Sequence, residues 1–190
     1  IDATYSYMRY GVGCECTNVL TELGTDLITG AEGALSYPYN LYSATLSPSE
    51  SKIYGLWENH YKAIGLTNLA LKNLSESSIS EENKVLYSAE LRFFRAYFYF
   101  DLVQQYGSIP LVLEAIEEPK TDFKRASVAA VYNQIITDLR YAAENLRETA
   151  SGDETGKATK YSASHLLGKV YLTRGSAVAD ARGQQATDID

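Results

Sequence analysis

The stretch AELRFFRAYFYFDLVQQYGSIPLV, residues 89–112, carries the decision about the fold. Over residues 93–100 almost every helical face is apolar, so a helix there has no side to give to water and belongs at the centre of the molecule. Ser80 can cap that helix, Val85, Ala89, Ala96 and Phe100 mark its course, and Gly107 and Pro110 stop it. Glu90, Arg92 and Arg95 break the apolar surface. An unpaired charge in such a place costs several kcal/mol, so the three are expected in internal salt bridges or hydrogen bonds to turn carbonyls between stacked helices, in preference to a ligand role.

Working outward, Ser47, Pro48 and Glu50 form a start signal: a capping hydroxyl, a proline at the first helical position and a carboxylate three residues after the cap. Trp57, Tyr61, Ile64, Asn68 and Leu71 then recur at steps of four and three and predict one buried stripe, fading near Ser75. A further helix follows Ser127, with Val131, Ile135, Leu139, Ala142 and Leu146 inside and Asn133, Gln134 and Asp138 outside. Another spans residues 160–174 on Ala163, Leu167 and Val170, closed by Gly175. Residues 3–25 carry a weaker helical pattern, and residues 30–47, 108–126 and 149–159 read as irregular. The fold expected is all-α, with tetratricopeptide-like stacked antiparallel helix pairs forming an α-α superhelix. Residues 1–175 are expected to form one incomplete helical domain. Residues 176–190, small and polar with no period, are expected to be a loop or linker toward a missing C-terminal portion.

Composition narrows the function. With 190 residues, 45% of them apolar, the chain can close a core. A net charge of -7 without a basic run gives no footprint for nucleic acid. Sixteen tyrosines stand against one tryptophan and five phenylalanines, and tyrosine offers a flat apolar face with a hydrogen-bonding rim. Cys14 and Cys16 are too close for a relaxed disulfide and lack the second ligand pair of a zinc site; they read as buried or half-buried thiols. His60 and His165 are isolated, Glu117 and Glu118 are adjacent and cannot flank a glycosidic bond, and the Asp153–Glu154 region lacks EF-hand spacing. Neither a nucleophile elbow nor a dinucleotide fingerprint is present. No enzyme, cofactor or metal is expected.

The 89–112 stretch resembles the signature helix of the SusD-like (RagB/SusD) family: a charged start, Arg-Ala followed by aromatics, then a Gly-x-x-Pro exit. LWENHYKAIGLTNLAL at residues 56–71 resembles the family's Trp-x-x-x-Tyr-x-x-Ile-x-x-x-Asn helix. SVAAVYNQIITDLRYAAENL at 127–146 is similar to its Val-Tyr-x-x-Ile-x-x-Asp-Leu helix, and GKATKYSASHLLGKVYLTRG at 156–175 to its Gly-x-Ala-Thr-Lys segment. The resemblance implies the N-terminal helical part of a SusD-like fold, and members that usually run to several hundred residues. It also implies a lipid-anchored protein of the bacterial outer-membrane surface that captures glycans, or occasionally peptides, and lids a TonB-dependent, SusC-like transporter. The lipid-bearing N-terminus is expected to lie outside this chain.

For a glycan ligand the segment of residues 30–47 is the expected site. Tyr37, Tyr39 and Tyr42 would serve as stacking platforms, with Asn40 and Asp26 as hydrogen-bonding partners and Pro38 stiffening the loop. The competing expectation is that these tyrosines pack against the missing portion. Of the alternative functions, a helical scaffold for protein contacts without its own ligand site stands next, and an enzyme third.

Overall fold

The computed structural model describes residues 1–13, 19–23, 25, 28, 37–41, 46–47 and 49–176, and the side chains of all of these except 10–13, 37 and 41. Cys14, Cys16, Pro48 and residues 177–190 lie outside them. The chain divides into two compact units, one of residues 2–62 and the other from residue 63 onward together with Ile1.

In the first unit, α1 spans Asp2–Gly13 and a five-residue helix, α2, spans Tyr37–Leu41 inside the segment expected to be irregular. Pro38 falls in the first turn of α2, where its missing N–H breaks no helical hydrogen bond. The long helix α3, Ser51–Glu76, starts in this unit and continues into the second. Its start is set by Glu50, not Ser47. The Glu50 carboxylate accepts the Lys52 N–H at 2.8 Å, and its carbonyl accepts that of Tyr54 at 2.9 Å. An anion on the first amides complements the helix dipole, so Glu50 takes the cap position by itself. Of the expected stripe, Ile64 and Asn68 are buried, joined by Leu56, His60, Ala63 and Thr67, while Leu71 is half-buried, as are Trp57 and Tyr61, whose rings lie 4.8 Å apart.

The second unit is built on α4 (Glu81–Tyr106), α5 (Val128–Asn145) and α6 (Lys160–Ser176). Ser80 caps α4 by accepting the Asn83 N–H, and Ser127 caps α5 through that of Ala130. At the end of α4, Gly107 adopts φ +67°, a conformation costly to any residue with a Cβ, and its N–H reaches the Val103 carbonyl at 3.1 Å. The middle of α4 is the most enclosed stretch among the described residues. Phe94, Phe98, Tyr99, Phe100 and Leu102 are each no more than 2% exposed.

Pairings along the helices fix their directions. Early in α4, Glu90 meets Arg147 beyond the end of α5; midway Arg95 meets Asp138; late in α4, Phe100 packs edge-on against Tyr132 early in α5. Likewise Arg174 at the end of α6 reaches Asn133 early in α5, and Tyr171 reaches Arg140. Both neighbouring pairs are therefore antiparallel, as the expected stack requires. Val131, Ile135, Leu139, Ala142 and Leu146 are all fully or almost fully buried, so the apolar period of α5 was correctly read. In α6 the stripe is Ala163, Leu166, Val170 and Arg174, with Leu167 only half-buried.

The only sheet among the described residues is the antiparallel pair β1 (Ile109–Pro110) and β2 (Arg125–Ala126), with Ile109 opposite Ala126 and Pro110 opposite Arg125. It closes the base of a loop, residues 111–124. A 3-10 turn at Gly152–Glu154 occupies part of the irregular stretch before α6. No described helix is long and apolar enough to cross a membrane.

Candidate functional site

The charges inside α4 find partners, and one of them falls where the sequence reading put a solvent face. Asp138 is fully buried, not exposed. Arg95 holds it with two parallel hydrogen bonds, Nε to Oδ2 at 2.8 Å and Nη2 to Oδ1 at 2.9 Å. Arg92 stands 3.8 Å from the same carboxylate and lays its guanidinium 4.3 Å over the Tyr141 ring. A polar residue at a nominally outer position of α5 is buried because α4 offers the arginine fork its carboxylate needs. Glu90, also fully buried, accepts from Arg147 at 3.0 Å; Arg147 also pairs with Glu154, and Lys157 reaches Glu154 at 2.9 Å.

The Arg95 cluster extends to the backbone of the 111–124 loop. Arg95 Nη1 donates to Asn68 Oδ1 at 3.0 Å and to the Leu113 carbonyl at 3.2 Å. Asn68 Nδ2 donates to the carbonyls of Val112 at 2.9 Å and Glu114 at 3.3 Å. The Tyr99 hydroxyl donates to the Val112 carbonyl and accepts its N–H, both at 2.7 Å. Burial pushes the Tyr99 phenol well above the ordinary tyrosine range, so it stays protonated and able to donate. Side chains from α3 and α4 thus hold three consecutive loop residues. At the base, Arg125 donates to the Ser108 carbonyl at 2.6 Å, and Lys72 pairs with Glu117 further out.

So held, residues 111–123 wall an open cavity of about 780 Å³. Its lining mixes apolar and charged groups, and Leu113, Ile116 and Phe123 remain 38%, 50% and 40% exposed. The loop lies within residues 108–126, which carry no periodic pattern in the sequence. The available signal was Asn68, a polar residue on a buried stripe, whose amide had to find carbonyls somewhere.

Of the residues expected at the ligand site, Tyr42 and Asp26 lie outside the described residues, as does the Tyr37 side chain. Tyr37, Tyr39 and Asn40 share α2. Tyr39 is 5% exposed, and its buried hydroxyl has no hydrogen-bond partner among the described residues, so its ring offers no open face. Asn40 is half-buried and donates to the Ile28 carbonyl at 3.5 Å. His60 is buried and His165 exposed, and the described residues hold no cluster of three or more His, Cys, Asp or Glu side chains suited to a metal.

Residues 23–172 match the model of the SusD-like family described as starch-binding and associating with the outer membrane. The chain belongs to the SusD-like family. A SusD-like protein of Bacteroides ovatus is 30% identical over 131 residues, covering 66% of this chain and 23% of its own length. A SusD-like protein of Formosa agariphila is 26% identical over 159 residues, 82% of this chain and 28% of that one. Among solved structures, a laminarin-binding SusD-like protein superposes with a TM-score of 0.82 at 31% identity, over 92% of this chain and 39% of the other. A structure with a xylogluco-oligosaccharide superposes with a TM-score of 0.62 at 28% identity, over 68% of this chain and 26% of that one. The chain thus spans between about a quarter and two fifths of the length of these SusD-like relatives.

Proposed function

We propose that the chain is the helical portion of a glycan-capturing protein of the bacterial outer-membrane surface. The observation that carries the reading is the likeness, over 92% of this chain, to a SusD-like protein that binds laminarin. The family description, starch-binding and associated with the outer membrane, supports the same class of ligand and the same location. In this reading the protein is a binding component, not an enzyme. It hands oligosaccharide to a TonB-dependent, SusC-like transporter and is held at the surface by a lipid. A net charge of -7 favours neutral glycans, because sulfated or uronic polymers meet a repulsive field.

The ligand contacts we assign first are Tyr37, Asn40, Tyr42 and Asp26, with Tyr39 supporting them from within its unit. Isothermal titration of the chain with laminarin, xyloglucan oligosaccharides and starch tests the function. Binding in the millimolar to micromolar range, roughly 4 to 8 kcal/mol, is expected for few contacts on a neutral sugar. Absence of heat with every neutral glycan would refute it.

A further inference from the structure

We propose that the cavity walled by residues 111–123 is a second glycan subsite, with Phe123 as its stacking face. The proposal rests on the glycan-binding reading above and adds a place to it. A cavity of about 780 Å³ is within the range that holds a small ligand, and its lining has the two chemistries a sugar presents in reverse. The C–H face of a pyranose stacks on an aromatic ring; its hydroxyl edge donates to carboxylates and accepts from an ammonium. Phe123, 40% exposed, supplies the ring. Glu114 and Glu118 supply acceptors, while Glu117 is engaged by Lys72 and Asp122 lies 4.0 Å from Lys120. Lys120 Nζ lies over one face of the Phe123 ring, 5.7 Å from its centroid, so a sugar stacks on the opposite face with the ammonium as a donor for hydroxyls that reach round the ring.

Two further observations bear on the ligand. Four carboxylates and one lysine line the cavity, so a sulfated or uronic sugar is repelled while a neutral one, with hydroxyl donors to spare, is matched. The start of the wall and its base are also held by the protein's own contacts. Arg95, Asn68 and Tyr99 hold the backbone of Val112, Leu113 and Glu114 from beneath, and the β1–β2 pair closes the base. Those residues need no ordering on binding, which favours retention of a small, weakly held ligand.

The test uses the full chain and laminarin as the probe, read by calorimetry and by limited trypsin digestion at Lys120. If the subsite exists, laminarin slows cleavage after Lys120 in the parent, Phe123→Ala weakens binding tenfold or more at an unchanged melting temperature, and Phe123→Tyr binds like the parent. Laminarin binding that persists in Phe123→Ala without protection of Lys120 overturns the subsite and leaves the glycan-binding function standing. Should Phe123→Ala prove less stable, the trypsin footprint of the parent decides alone: unprotected Lys120 in a laminarin-bound chain overturns the proposal. A parent that binds none of the neutral glycans ends the functional reading and this subsite with it.

Discussion

Helix α4 and the loop that follows it are held by opposite means. Residues 93–100 are placed by apolar area: Phe94, Phe98 and Phe100 are lost from water, Phe100 against Tyr132 of α5, and the backbone hydrogen bonds close within the helix itself. The loop has no internal ladder beyond its base. Its position is borrowed from Arg95, Asn68 and Tyr99, side chains that lie 13 to 46 residues away in sequence from the loop groups they bind. A helix is therefore robust to any one contact, whereas the loop depends on a few polar atoms being in place.

The largest effect is expected where the two regions meet. Asp138→Ala leaves Arg95 buried without its carboxylate, which costs about 3 to 5 kcal/mol. Urea unfolding checks the magnitude, and trypsin cleavage of the folded variant at Lys120 or Lys124 should accelerate as Arg95 lets go of Leu113. Phe94→Ala removes a fully buried ring and is expected to cost a similar 3 to 5 kcal/mol through the cavity it leaves. Its loop should stay as resistant as the parent's while the protein is folded. If both variants loosen the loop equally, the separation of the two regions is wrong.

That separation also explains what the sequence made legible. The period of α5 and the caps at Ser80 and Ser127 were readable because each is a local pattern, enforced by helical geometry over a few residues. The charges at Glu90, Arg92 and Arg95 announced that partners must exist, since burial without them is too costly, but the partners' identity is tertiary. Asp138 sits in α5 between Thr137 and Leu139, and nothing local separates a solvated aspartate there from one facing an arginine fork. The start of α3 was misplaced for a related reason: Ser47, Pro48 and Glu50 compose a plausible cap, yet the Glu50 carboxylate folds onto Lys52 and caps the helix alone. At the expected ligand residues, the burial of Tyr39 was beyond reach, because a tyrosine next to proline has the same local signature packed or exposed. The cavity of residues 111–123 was invisible for the reason that makes it interesting: its shape is set by helices elsewhere in the chain.

A middle-sized effect isolates the tyrosine. Tyr99→Phe keeps the ring in the core and removes one hydroxyl, leaving the Val112 carbonyl with Asn68 and the Val112 N–H with no replacement; about 1 to 3 kcal/mol is expected. Burial raises the phenol's folded-state pKa above its unfolded value near 10. The folded state then binds more protons than the unfolded one at high pH, so the stability this group contributes is complete below about pH 10 and falls as pH rises beyond it. Tyr97 is shifted the same way, so melting temperature should fall above about pH 10 in both proteins, and less steeply in Tyr99→Phe. Equal slopes would mean that the phenol is not buried as described.

The smallest effect is expected on the outer side of the loop, and it sharpens the comparison most. If backbone atoms of residues 112–114 are what hold the loop, the side chains facing out of it are nearly irrelevant to folding. Ile116 is 50% exposed and two residues beyond the last held carbonyl. Ile116→Ser should change stability by no more than about 0.5 kcal/mol, in either direction, as exposed substitutions usually do. The same exchange at Ile135, fully buried in α5, removes its apolar area, leaves a cavity and buries a hydroxyl, and should cost about 2 to 5 kcal/mol. Urea midpoints of the two serine variants measured side by side give the contrast directly. A loss at Ile116 approaching that at Ile135 would show that the loop is held by side-chain packing after all, and the polar clamp would then be an accompaniment to its position and not the cause.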